Sequence, residues 1–363
     1  MHNKVLVAMS GGVDSSVALI KILEMGYDPI GVTMKLWDYK DVGGKSLPDS
    51  NCCSVGAINN AKLVCDKFSV PHYTIDFTKV FLEKVVKNFS DEYLSGRTPN
   101  PCVRCNSFVK WDAFLQQAKE LGASKIATGH YAKIIKEHNN YSLAKGSDSS
   151  KDQAYVLWGI PRDTLNKTIF PLGDMTKKEV RKIAIQNKLE TAHVPESMDI
   201  CFVADNNYSR FLNDFSRDKV SKIDSGKIKN SKGEILGQHT GYHNYTIGQR
   251  KGLGLSMPQP NYVNKIDAKT NTIIIGGKSE LLKNSCSISQ VNWLKENIKL
   301  PLKVSAQIRY NSKEVDALVS IKNHNEVDVK FEKPQLAITP GQSIVFYDNN
   351  TVLGGGIISK ISS

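Results

Sequence analysis

Two stretches of this chain hold residues whose types and spacing suit chemistry. The first is Ser10-Gly11-Gly12-Val13-Asp14-Ser15-Ser16. Paired glycines let a backbone approach a ligand closely and leave successive N–H groups free to face it. A helix opening at the end of the run would add partial positive charge, and Ser15 and Ser16 would add hydroxyl donors. The run therefore reads as a cradle for phosphate. It is not a Walker loop, because no Gly-Lys-Ser/Thr follows at the required spacing. Two glycines alone would suit an ordinary tight turn; the full run, between a strand and a helix, favours the anion site. The Asp14 carboxylate could simply cap the helix.

The second stretch is Thr98-Pro99-Asn100-Pro101-Cys102-Val103-Arg104-Cys105-Asn106. Its prolines predict a non-helical loop as far as about Asn106, which puts Cys105 at a helix N-terminus with Arg104 beside it. Both features favour the thiolate, the nucleophilic form of cysteine. Met198-Asp199-Ile200-Cys201-Phe202-Val203 sets another cysteine in what reads as a short apolar strand, where a buried core thiol is the plain alternative. The seven cysteines, an odd number, argue against a disulfide framework. Cys52 and Cys53 fall in a polar insertion and read as loop or packing residues. Cys65, on a helix's apolar stripe, and Cys286 read as structural.

These groups need a scaffold, and the N-terminal part of the chain supplies alternating strand and helix patterns. Val5–Met9, Pro29–Met34, His72–Ile75 and Lys125–Thr128 read as strands. Helices are predicted over Ser15–Met25 before Gly26, from a Ser54 cap along Ala57, Ile58, Ala61, Val64, Cys65 and Phe68, from Thr78 to about Leu94, and from about Asn106 to Leu121. Repeated strand–helix–strand units imply an α/β fold with a doubly wound, mostly parallel sheet. Such sheets bind ligands beyond the carboxyl ends of their strands. After about residue 205 the pattern changes. Lys227–Gly254 is dense in turn residues and reads as a small middle domain. Alternating segments at Val304–Tyr310, Val315–Ile321, Val327–Phe331 and Ser343–Tyr347 read as a small all-β, barrel-like end. The expected division is 1–205, 206–278 and 279–363.

Lys and Arg outnumber Asp and Glu by 48 to 36, a formal net charge of +12. That excess suits a polyanionic partner, although a solvated basic surface would look the same. No apolar run is long enough to span a membrane, and no secretory signal is read, so a cytoplasmic protein is expected.

The first run resembles the Ser-Gly-Gly-x-Asp-Ser signature of the PP-loop, or N-type ATP pyrophosphatase, superfamily. A wider set of motifs resembles the tRNA-specific 2-thiouridylases, the MnmA/TrmU family. These are Gly31–Met34, Gly96-Arg97-Thr98-Pro99-Asn100-Pro101, Cys105-Asn106, Ala127-Thr128-Gly129-His130-Tyr131, Lys151-Asp152-Gln153, Asp199-Ile200-Cys201-Phe202, Tyr245–Gly254 and Arg309-Tyr310. The resemblance covers nearly the whole chain. It implies that ATP, with magnesium, is bound by Ala8, Met9, Ser10, Gly11, Gly12, Val13, Asp14 and Ser15, with Met34 and Gly129 flanking adenine and ribose. Cleavage between the α and β phosphates would adenylate a uridine oxygen.

The same resemblance implies that Cys201 carries a persulfide, that Cys105 is its nucleophilic partner, and that the two end as a transient disulfide. It assigns Asn100, Pro101, Cys102, His130, Lys151, Asp152, Gln153, Arg309, Tyr310 and Gln342 to the target base or the tRNA. His130 has two further readings, a base or the partner of a backbone carbonyl. Gln249-Arg250-Lys251-Gly252 looks like a basic turn gripping phosphate. The implied partners are tRNAs for Lys, Glu and Gln and a persulfide donor, either a cysteine desulfurase or a sulfur relay; a monomer is expected. One departure stands out: many members have Asp where this chain has Cys102. An alternative mechanism therefore stays open, an iron–sulfur cluster on Cys102, Cys105 and Cys201. Another PP-loop tRNA thiolase and a noncatalytic RNA-binding module are the competing readings.

Overall fold

The computed structural model describes residues 3–38, 55–195, 200–203 and 205–362. Cys52, Cys53, Ser54 and Asp199, which the sequence reading used, lie outside the described residues. The chain divides into two compact units. One comprises Met1–Val85, Cys102–Asn206 and Asn350–Leu353; the other comprises Val86–Pro101, Asn207–Asn349 and Gly354–Ser363.

The first unit is built on β1 (Lys4–Ala8), β2 (Asp28–Lys35), β3 (His72–Asp76) and β4 (Lys125–Ala127), then the hairpin β5 (Ala132–Glu137) and β6 (Asn140–Lys145), and β7 (Thr168–Ile169). Five of these form a parallel sheet in the order β3-β2-β1-β4-β7. Central β1 sets Leu6 against Ile30 on one side and Ile126 on the other. Val5, Leu6 and Val7 are wholly buried, which explains the unbroken apolar run. Successive strands step outward from β1 to β3 and then resume at β4 on the other side of β1. That reversal opens a crevice beyond the carboxyl ends of β1 and β4. The helix Val13–Glu24 starts directly after the loop that leaves β1 and packs on the helix Lys177–Gln186. The helix Val55–Lys67 buries Ala57, Ala61, Val64 and Cys65, four residues of the predicted stripe.

Two sequence expectations need correction here. Helix begins at Pro101, not near Asn106: Pro101–Arg104 is α-helical, Cys105–Ala113 continues as a π-helix, and Phe114–Glu120 is α-helical again. Proline at the first helical position loses nothing, since its missing N–H would have had no intrahelical partner. Cys102 therefore occupies the first turn and Cys105 lies a turn further in. Cys201 sits in a turn rather than a strand, closed by the Val203 N–H donating to the Ile200 carbonyl at 2.9 Å.

The second unit holds a four-stranded sheet, β8 (Gly226–Asn230), β9 (Ile235–His239), β10 (Tyr262–Asp267) and β11 (Thr272–Gly276), in the order β10-β11-β8-β9. Ile228, Val263, Ile273 and Ile275 form its core. It also holds β12 (Leu282–Trp293), β13 (Leu302–Gln307), β14 (Val315–Ile321), β15 (Glu326–Leu336), β16 (Ser343–Asp348) and most of β17 (Thr351–Ser362). Their order, β12-β15-β14-β13-β16-β17, closes through pairing of β12 with β17, so the sheet is a barrel. Along β14 the buried Ala317 and Val319 alternate with the exposed Asp316 and Leu318, as a filled barrel requires. Among the described residues no helix is long and apolar enough to cross a membrane.

Candidate active site

The loop after β1 is shaped by close backbone approach. Gly11 adopts φ +75°, and a Cβ there would stand 2.2 Å from the Ala57 carbonyl oxygen. Gly129, just past β4, lies so close to the loop that a Cβ would sit 2.8 Å from the Asp14 carbonyl carbon. Only glycine fits either position. Ser10 is exposed at the mouth of the loop, and Met34 is half-buried near the end of β2. The hydroxyls of Ser15 and Ser16 do not point outward as expected. Both are buried and donate to the Gly12 carbonyl, at 3.0 and 2.9 Å. They brace the loop from within.

Asp14 is held from two sides. Lys177 Nζ lies 2.7 and 2.8 Å from its two oxygens, and the Tyr131 hydroxyl donates to Oδ1 at 2.7 Å. Lys177 is the first residue of the helix Lys177–Gln186, is itself buried, and follows a Thr176–Glu179 capping box. Neither Lys177 nor the role of Tyr131 was read from the sequence. A signal existed: a lysine in the first turn opposes the helix dipole and needs an anion. The Asp14 carboxylate is thus engaged by an ammonium and a hydroxyl.

The next residue after Gly129 leads to the thiols. His130 Nδ1 lies 2.7 Å from Thr128 Oγ1, and its Nε2 lies 3.4 Å from Lys110 Nζ. An ammonium can only donate, so Nε2 accepts and the ring proton sits on Nδ1. Burial, reinforced by Lys110, pushes the His130 pKa well below its ordinary value. His130 is thus a fixed neutral ring, packed near Trp111 and Phe170. Lys110 stands on the π-helix that begins with Cys105. Cys102 is exposed as a residue, yet enough protein surrounds its sulfur that desolvation raises its thiol pKa, while Lys110 pulls the other way.

Cys105 and Cys201 are both partly exposed, and neither is in a disulfide. Phe202, next to Cys201, is buried edge-on against Phe81 at 5.6 Å. Phe81 ends the helix Thr78–Phe81, which packs on the π-helix of Cys105. One packing chain therefore links Cys201's turn to Cys105's helix. Among the described residues no three His, Cys, Asp or Glu side chains are grouped to hold a metal ion.

The residues assigned to tRNA fall into two kinds. Asp152 accepts from the Gly146 N–H at 2.8 Å and Gln153 Oε1 from the Tyr131 N–H at 3.0 Å, so both side chains brace the loop beside Tyr131. Gln342 donates to the carbonyls of Thr98 and Pro99, at 3.1 and 2.9 Å, and ties down the segment leading to Asn100. Arg309 donates to the Ala337 carbonyl and, at 2.8 Å, to Thr339 Oγ1. Tyr310, Arg250 and Lys251 are exposed, and Lys151 is partly so. These four are accessible to a polyanion.

An open parallel sheet, with a glycine-built anion cradle at its switch point, defines the first unit as a nucleotide-binding α/β domain. Family models match the chain in three successive pieces. They are the tRNA methyl transferase HUP domain at residues 3–205, the tRNA methyl transferase PRC-barrel domain at 211–277 and the Aminomethyltransferase beta-barrel domain at 283–358. A tRNA-specific 2-thiouridylase MnmA of Carboxydothermus hydrogenoformans is 46% identical, covering 99% of this chain and 98% of the relative. The protein of the same name from Halothermothrix orenii is 47% identical, covering 99% of each chain. The chain belongs to the tRNA-specific 2-thiouridylase family, a family of sulfurtransferase enzymes.

Proposed function

We propose that this chain replaces the oxygen at carbon two of the wobble uridine of tRNA with sulfur, using ATP for activation and a cysteine persulfide as sulfur source. One observation carries the reading. Thr128-Gly129-His130 runs unbroken from the nucleotide loop to the thiol helix: Gly129 lies on Asp14 and Ser15, and His130 meets Lys110. Nucleotide and sulfur chemistry are thus served by adjacent residues.

The uridine oxygen attacks the α-phosphorus of ATP, and pyrophosphate leaves. The cradle's N–H groups and the helix start favour the negative charge that develops there. Magnesium brought in with ATP would neutralise further phosphate charge. The terminal sulfur of the Cys201 persulfide then attacks carbon two, and AMP departs with the oxygen. Cys105 attacks Sγ of Cys201, frees the sulfur on the base, and leaves a Cys105–Cys201 disulfide for a reductant to open. In the alternative order Cys105 releases sulfide first. Holding sulfur on cysteine replaces an encounter with dilute sulfide by an intramolecular step. His130, neutral and bonded at both nitrogens, acts as a positioned ring and not as a base.

The partners are tRNAs for Lys, Glu and Gln and a persulfide donor in the cytoplasm. The protein works as a monomer, with 206–278 and 279–363 serving tRNA binding. The test is thiolation with a persulfide donor, following AMP and 2-thiouridine together. Cys201→Ser should neither hold persulfide nor form product, and Cys105→Ser should form none. Product from Cys201→Ser at the unmutated rate, or activity only after iron–sulfur reconstitution, would sink the reading.

A further inference from the structure

Cys102 has no part in the scheme above, yet the helix start places it where it can act. Residues three apart on an α-helix have Cα atoms about 5 Å apart, from a rise of about 1.5 Å per residue and a radius of about 2.3 Å. Disulfides form at Cα separations of about 4.4–6.8 Å. Cys102 and Cys105 stand three apart across the turn Pro101–Arg104, and the backbone stays helical at Arg104, with φ −65° and ψ −41°. Neither residue is in a disulfide, Cys102 is exposed and Cys105 partly so. Cys102 also lies in the helix's first turn, where the field of the Lys110 ammonium works against the larger, pKa-raising effect of burial. The buried Cys65 and Cys286 share none of this.

We propose that Cys102 is a resolving thiol, which takes over the disulfide left on Cys105 and so frees Cys201. The inference rests on the Cys105–Cys201 disulfide of the proposed function. The Cys102 thiolate attacks Sγ of Cys105. The Cys105–Cys201 bond breaks, a Cys102–Cys105 bond forms, and the electron pair leaves on the Cys201 thiolate. No net oxidation occurs in this step. Cys201 is then ready for a new persulfide. An external dithiol supplies two electrons and two protons to reduce the exposed Cys102–Cys105 bond. Without Cys102, the reductant would have to reach the Cys105–Cys201 bond itself.

Two measurements test this, both read by alkylation, nonreducing digestion and mass spectrometry. First, the full-length Cys201→Ser protein is equilibrated in buffers of reduced and oxidised dithiothreitol. A Cys102–Cys105 disulfide is expected; its absence under oxidising conditions would overturn the inference whatever happens in turnover. Second, unmutated enzyme makes one turnover without reductant. The expected product is thiolated tRNA with a Cys102–Cys105 disulfide and an alkylatable Cys201. A persisting Cys105–Cys201 disulfide with free Cys102 would overturn this inference alone. Thiolated tRNA with all three thiols free would overturn the proposed disulfide step and the inference with it. In Cys102→Ser the Cys105–Cys201 disulfide should accumulate, and later turnovers should slow relative to the first. An unchanged ratio of later to first turnover would count against the role.

Discussion

Asp14→Asn separates the two roles of the Asp14–Lys177 pair. Asparagine keeps an acceptor for the Tyr131 hydroxyl but removes the charge facing Lys177. The side chains are 11% exposed for Lys177 and 32% for Asp14. Stranding a buried ion costs about 3–5 kcal/mol. Water reaching the Asp14 side reduces that to about 2–3 kcal/mol here. At about 2–4 °C per kcal/mol for a domain of this size, the melting midpoint should fall by about 4–12 °C. Removing both charges, in Asp14→Asn with Lys177→Met, should recover most of the loss, because no ion is left unpaired. Function should not recover. The assay is thermal unfolding with and without ATP, alongside AMP release in the presence of tRNA. Saturating ATP stabilises a binding-competent protein by about 2.7 kcal/mol at a hundredfold excess over Kd. Both variants should lose that shift and release no AMP, while tRNA binding stays nearly intact. AMP release restored in the double variant would reduce the pair to scaffolding, and an unchanged midpoint in Asp14→Asn would refute the stranded-ion argument.

Arg250→Ala and Lys251→Ala, on an exposed turn, should each lower the slope of log tRNA affinity against log salt by about one unit. Arg309→Ala should instead lose about 1–3 kcal/mol of stability, because the Ala337 carbonyl and Thr339 hydroxyl lose a donor. A full unit lost from its salt slope, with the melting midpoint unchanged, would place Arg309 on the RNA. His243 is buried, neither ring nitrogen has a hydrogen-bond partner among the described residues, and burial lowers its pKa. In acid the unfolded chain protonates this ring while the native one resists, so its contribution is intact above about pH 6.5 and is lost as pH falls below it. His243→Phe should flatten the acid limb of stability against pH; an unchanged limb would show that His243 does not titrate there. Cys65 and Cys286, both pushed up to about 12 by burial, should escape iodoacetamide near neutral pH in native protein. Labelling at the rate of Cys102 would contradict their burial.

The parallel sheet was legible because burial on both faces demands continuous apolar strands, and Val5-Leu6-Val7 and Ile30 satisfy that demand with no other reading available. The barrel strand Val315–Ile321 was legible for the opposite reason: burial on one face leaves an alternation, seen at Asp316, Ala317, Leu318 and Val319. The nucleotide loop announced itself through glycines, whose need is local. Failures came where a local rule had two outcomes. A proline forbids a helix interior but welcomes a helix start, and Pro101 takes the second course. The serines after the glycines were legible as donors, but not as donors already committed to Gly12.

What stayed hidden is the set of residues that hold the chemical ones. Asp14 meets Lys177 across 163 positions, and His130 meets Lys110 through a π-helix whose register no α-periodicity anticipates. Such partnerships leave only an indirect trace, a charge placed where local physics disfavours it. Lys177 in a first helical turn is that trace, and the anion it requires is supplied by the loop after β1. Cys102 sits in the first turn of a helix within the field of Lys110, and burial pushes its thiol pKa up against that field. Lys177 therefore needs Asp14 already in the folded enzyme, whereas the proposed role of Cys102 would begin only once a disulfide had formed on Cys105.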